Sequence, residues 1–237
     1  MKSLRAVIVL SLLPFLGVSA NAQEEGDAVE IKEKDRSFRV AFASLPRGLG
    51  KELFYGTEEG FASVPVNLYK ISAPQPLAKE ATVLGFFKEM PKVEADQPAS
   101  VADHQIALPE ALKILIVVFP KMVDGKAGID AHPIDESTFP AGSIYFFNPT
   151  ELHLGAALGE DKVTIRAGKE FLFRPPPIGD GKTVAVQIAL HEEEGWKLFS
   201  STRWHLSPKE RHLLFFKINP RTRRADYDSL TDYFARE

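Results

Sequence analysis

Six histidines, His104, His132, His153, His191, His205 and His212, are the side chains best suited to metal or proton chemistry in this chain. No two stand at the i, i+2 spacing that places a ligand pair on one face of a strand. A zinc site assembled from distant strands stays open, although scattered surface histidines need no such explanation. The chain has no cysteine, which removes thiolate metal sites, a cysteine nucleophile and a disulfide framework together. Carboxylates number 32, so a glycosidase-type pair can always be drawn. The densest group, Glu192, Glu193 and Glu194, reads as the solvated tip of a hairpin. Ser143 follows Gly142 without the second glycine of a nucleophile elbow. Gly48-Leu-Gly50-Lys51 lacks phosphate-loop spacing, and residues 124–130 lack the alternating acidic ligands of a calcium loop. These residues nominate no catalytic group, no metal site and no cofactor.

Recognition chemistry is left. Tyr55, Tyr69, Tyr145, Trp196, Trp204 and Tyr227 supply rings that stack on sugars or fill partner pockets, with Arg203 and Arg211 near the last hairpin. The binding candidates are Tyr145, Trp196, Arg203, Trp204 and Arg211. Alternation argues against part of this set, because Trp196 and Trp204 share a strand face with Leu198 and so read as core.

The elements that must position these residues are strands. Residues 139–150, FPAGSIYFFNPT, set a turn, a dense apolar strand and a second turn in one stretch. Phe139-Pro-Ala-Gly142 fits a type I turn with glycine last. Ile144 and Phe146 should face one way, Tyr145 and Phe147 the other. The strand to Asn148 and the following His153 resemble the way cupredoxins present a first copper ligand. A blue-copper site also needs a thiolate, so the stretch is read as a fold marker.

Around it, Phe38, Val40 and Phe42 alternate as a strand, and residues 66–71 and 81–88 read as two more. Residues 112–119, LKILIVVF, have no solvent face and predict a central strand covered on both sides. A loop is expected over 120–136. Residues 89–111 are a possible sub-boundary, or a loop whose Ile106 and Leu108 dock as an edge strand. Residues 163–165 and 170–173 flank a glycine turn at Gly168 and suggest a hairpin. Pro175, Pro176 and Pro177 predict an extended segment outside any sheet. Residues 184–191, 196–205 and 212–218 alternate between polar turns, which predicts a three-stranded meander. No earlier segment shows sustained helical periodicity. The expected fold is all-β, an antiparallel sandwich of immunoglobulin-like or jelly-roll kind with about ten to twelve strands and little helix.

Lys2 and Arg5 precede an apolar run and then Ala20-Asn21-Ala22, the pattern of a signal peptide over 1–22. A charged leader follows at 23–36, the sandwich spans 37–220, and a charged tail at 221–237 is read as docking one amphipathic helical turn. Without the first 22 residues, basic and acidic counts move from 29 against 32 to 27 against 32, a net of −5. That mild acidity argues against nucleic acid as partner, and no transmembrane segment is expected after cleavage.

In motif order, Phe139-Pro-Ala-Gly-Ser143, the strand to Asn148, the Ala167-Gly168 turn, residues 184–191 and 196–204, and Arg211-His-Leu-Leu-Phe-Phe216 resemble an uncharacterised family of bacterial exported β-sandwich proteins. The resemblance covers about half the chain and implies export to the periplasm or outside, with no assigned activity. The expectation is a non-enzymatic protein that binds a protein or glycan of the cell envelope. The alternative is a carboxylate-dependent hydrolase acting on an envelope or extracellular polymer.

Overall fold

Apolar and polar residues alternate in short runs broken by proline and glycine, and the chain answers with strands. The computed structural model describes residues 35–45, 48–92, 102–123, 126–175, 183–219, 222 and 224–234. Among them are sixteen strands, one 3-10 turn at Glu136–Thr138 and no α-helix. The N-terminal half contributes β1 (Ser37–Phe42), β2 (Glu52–Thr57), β3 (Gly60–Pro65), β4 (Gln75–Pro76), β5 (Val83–Phe87), β6 (His104–Ala107), β7 (Lys113–Val123) and β8 (Lys126–Asp135). The C-terminal half contributes β9 (Ile144–Asn148), β10 (Leu154–Leu158), β11 (Asp161–Ile165), β12 (Lys169–Phe173), β13 (Thr183–Glu192), β14 (Gly195–His205), β15 (Glu210–Ile218) and β16 (Ala225–Tyr233).

These strands make four four-stranded sheets, ordered β3-β2-β5-β6, β4-β1-β7-β8, β12-β9-β15-β16 and β11-β10-β13-β14. Three apolar cores join them in that order, as sheets packed face to face. The first core sets Leu53, Tyr55, Leu84 and Phe86 against Phe38, Val40, Ile114 and Ile116. A second sets Ala41, Leu115 and Val117 against Tyr145, Phe147, Leu213 and Phe215. The third sets Ile144, Phe146, Leu214 and Phe216 against Leu154, Ala156, Val186 and Ile188. The two middle sheets are therefore apolar on both faces, and the two outer sheets keep one wet face.

The predicted central strand is β7. Its residues Ile114, Ile116 and Val118 enter the first core and Leu115 and Val117 the second, which is why residues 114–119 have no polar position. The fold marker behaves as expected at β9, where Ile144 and Phe146 enter one core and Tyr145 and Phe147 the other. Each such buried side chain contributes roughly 1.5–3 kcal/mol. Ile106 docks at the sheet edge in β6, paired to Leu84. Of the 89–111 segment, residues 93–101 lie outside the described residues, as do residues 1–34 and 176–182.

Other expectations are corrected. Sixteen strands replace ten to twelve. Residues 120–136 are mostly not a loop: β7 and β8 form a long antiparallel hairpin, Ile114 to Val123 against Asp135 to Lys126. Residues 66–71 make only isolated bridges at Leu68 and Ile71, while the hairpin β2–β3 precedes them. Gly168 does take a positive φ of 64°, but β11 pairs with β10 and β12 with β9, so the turn passes the chain between sheets. The meander stops after two strands for the same reason, since β15 pairs with β9 and β16 rather than with β14. Gly142 has φ 77°, a left-handed value that the last position of a type I turn does not need. The tail is strand, not a helical turn. In β16, Ala225 and Tyr227 pack on one core and Leu230 on the other, and Asp232 occupies a position where apolar alternation expects carbon.

Candidate outer-face groove

On the wet face of β11-β10-β13-β14, an exposed aromatic residue stands among small and polar ones. Its register places Thr164, Gly155 and Ala189 in one row ending at Leu198, and Lys162, Ala157 and Gln187 in the next, ending at Ser201. Ala185 and Arg203 follow. Of these, Gly155, Ala157, Lys162, Thr164, Gln187 and Ala189 line an open groove of about 280 Å³ bounded by Trp196 and Leu198, and Ser201, Ala185 and Arg203 lie beyond it on the same face.

Trp196 reaches this face through one irregularity. Between Ile188 and Ala189 the register shifts: Ile188 opposes Ser200 and Ala189 opposes Leu198, leaving Phe199 as the extra residue of a β-bulge. A bulge reverses the parity of everything beyond it. Trp204, Thr202 and Ser200 stay on the core side, Phe199 packs against the core, and Leu198 and Trp196 turn outward, at 55% and 52% exposure. Strict alternation put Trp196, Leu198 and Trp204 on one face; the bulge separates them.

The indole is held, not loose. A Cβ placed on Gly155 would lie 3.0, 3.2 and 3.4 Å from three adjacent carbons of its benzo ring. Such near-equal distances mean that the ring presents its face to the Gly155 backbone. His191 meets the same indole edge-to-face, 4.8 Å between centroids. Only a glycine lets the ring settle there, since any larger residue occupies that space. One face of the indole covers the strand, and about half of the side chain stays exposed to solvent.

Of the remaining binding candidates, only Arg203 shares this face. Arg203 is exposed on this same face, toward the opposite end from Trp196. Trp204 is half-buried against Phe146 and Tyr227, with centroids 6.5 and 6.4 Å away. Tyr145 is buried, its hydroxyl 2.9 Å from His132 Nε2. Burial pushes its phenol pKa up, and pushes that of the His132 imidazole down. Arg211 is 1% exposed. Tyr145, Trp204 and Arg211 are thus withdrawn from any recognition surface, because alternation and ion pairing direct them inward.

Arg211 instead belongs to a four-membered ionic cluster at the margin of the middle core. Its Nε donates to Asp232 at 2.9 Å, and Nη2 pairs with both Glu136 and Asp232. Arg39 bridges the same two carboxylates at 2.6 and 2.7 Å. The guanidinium of Arg211 also donates to the Phe139 carbonyl and lies 4.4 Å from the Phe139 ring centre. Burial raises the carboxyl pKa values of Glu136 and Asp232, but the hydrogen bonds and charges of Arg39 and Arg211 more than reverse it. Carboxylates held ionised in this way are the opposite of a general acid, so this buried pair does not serve the hydrolase alternative.

The small residues of the groove face were missed by the sequence reading, yet they carry a readable signal. Gly155 and Ala157 in LGAAL, and Ala185 and Ala189 in VAVQIAL, occupy alternate positions where an ordinary wet face places charged or hydroxylic residues. Among the described residues no group of three or more His, Asp or Glu is arranged to hold a metal ion, and no helix is long and apolar enough to cross a membrane. No protein-family model matches the chain, and no curated protein matches it.

Proposed function

We propose that this is an exported, non-enzymatic protein of the cell envelope that binds glycan chains on the outer face of its C-terminal sheet. What carries the reading is Trp196: a held indole with one face packed on Gly155 and about half of its side chain exposed beside a floor of small side chains. Sugar rings present patches of C–H that stack on such a surface, while their hydroxyls need neighbouring hydrogen-bond groups. Gln187 and Thr164 supply those groups in the groove, and Ser201, paired with Gln187, lies just beyond it. Export and envelope location rest on the amino-terminal pattern of Lys2, Arg5, the apolar run and Ala20-Asn21-Ala22.

The test is polysaccharide binding by the purified protein without residues 1–22, followed by affinity electrophoresis and tryptophan fluorescence. Trp196→Ala should weaken retention on a bound polysaccharide about tenfold, the effect of losing a stacking contact near 1.4 kcal/mol. Trp204→Phe, a change on the core side, should leave retention unaltered. Undiminished binding by Trp196→Ala would refute the assignment of the groove.

A further inference from the structure

We infer that the groove selects anionic polysaccharides, chains bearing uronate or comparable acid groups; this rests on the glycan reading above and specifies its substrate class. The observation is a charge asymmetry between this groove and the rest of the molecule. The chain as a whole carries more acid than base, 32 against 29. Yet the residues that line the groove, among them Lys162, Thr164, Gln187 and Trp196, include no carboxylate, and the exposed Glu192, Glu193 and Glu194 stand outside it at the hairpin tip that precedes Trp196.

Two residues of this face are fixed cations. Lys162 and Arg203 are both exposed, and among the described residues neither has a carboxylate partner, whereas Lys121, Lys197 and Lys217 all do. Unpaired cations beside an acid-free groove are complementary to an anionic ligand.

Their placement specifies an extended ligand rather than a single sugar. Trp196 stands opposite His191, Lys162 lies in the row of Gln187 and Arg203 in the row of Ala185. The Trp196 benzo ring lies over Gly155, in the row of Ala189, so along β13 the Lys162 and Arg203 rows are about 7 and 13 Å from it, at 3.3 Å per residue. A chain with one ring stacked on the indole therefore meets Lys162 beside it in the groove and Arg203 farther along, on opposite margins of the sheet. The small floor of Gly155, Ala157 and Ala189 lets it lie flat between them.

The experiment compares polygalacturonate with a neutral β-glucan of similar length, using the intact protein lacking residues 1–22, at low and high salt. Polygalacturonate should bind more tightly, and its advantage should shrink as salt rises. Lys162→Gln with Arg203→Gln should cut polygalacturonate affinity about three- to thirtyfold, the range expected for two exposed charge contacts. The same double variant should weaken any neutral-glucan binding much less, and its melting curve should match the parent. Equal affinity for both polymers, unaffected by the double variant, overturns the charge selection and leaves stacking on Trp196 standing. Binding to neither polymer sinks both readings. Retention only on vesicles of acidic phospholipid also overturns the inference, since the face would then be reading a lipid surface.

Discussion

Replacing Arg211 with methionine keeps most of the side-chain volume and removes the charge at the centre of the ionic cluster. Glu136 and Asp232 then share Arg39 alone, and the Phe139 carbonyl loses a guanidinium donor. Breaking one member out of a buried charge set costs about 3–5 kcal/mol. For a domain of this size, that lowers the melting temperature by roughly 6–20 °C. The pH dependence gives a second, independent reading. Both carboxyls have folded pKa values below their ordinary 4.5 and 3.8. Depressed carboxyls contribute stability that is complete above their unfolded pKa values and lost as pH falls through the folded ones. Without Arg211 the depression shrinks, so the variant should be less stable at pH 7 and show a flatter acid limb below about pH 4.5. Urea unfolding at a series of pH values measures both. If Arg211→Met melts within about 2 °C of the parent at pH 7, or keeps the parental acid slope, the cluster does not carry this share of the stability.

Gly142→Val places a β-branched residue at φ 77° where the chain enters β9, and should cost about 1–3 kcal/mol in chemical unfolding; an unchanged midpoint would show that the turn relaxes freely. Deleting Phe199 removes the extra residue and leaves Ile188 opposite Ser200 and Ala189 opposite Leu198 as consecutive pairs, so the variant should fold with Trp196 still outward and parental indole emission. A soluble deletion variant with blue-shifted emission would contradict the register. His132 is stacked 4.1 Å from Phe147 and bonded to Tyr145, and burial lowers its pKa against the weaker opposing pull of Glu170 and Asp130. A lowered histidine pKa means the unfolded chain binds more protons, so stability falls as pH drops below about 6.5. His132→Gln should flatten the slope between pH 7.5 and 5.5; an equal slope would assign that dependence to other groups.

Much of the architecture was legible because it rests on period. β1, β7, β9 and β13 follow the alternation of their residues, and the unbroken apolar run of β7 announced a strand between two cores. What alternation does not encode is partnership. Nothing in residues 207–210 says whether β15 returns to β14 or crosses to β9, since either choice buries Leu214 and Phe216 equally well. Ionic burial hid β16, where Asp232 occupies an inward position because Arg211 and Arg39 neutralise it. The groove was half-legible: Trp196 and Arg203 stood out as residues, but the bulge that turns Trp196 outward depends on pairing with β13, and no local residue marks it.

The middle layer also makes the fold sensitive to the completeness of its own chain. Arg39 belongs to the first strand and is neutralised by Asp232 of the last, with Glu136 and Arg211 between them. Leu230, beside Asp232, is the last apolar residue to join that layer. A chain emerging from its amino end therefore carries an unbalanced buried guanidinium, and two apolar sheet faces with no final cover, until β16 is in place. A product truncated before Asp232 keeps Arg39 and Arg211 with one carboxylate between them, which marks it for unfolding and proteolysis rather than for a working half-molecule.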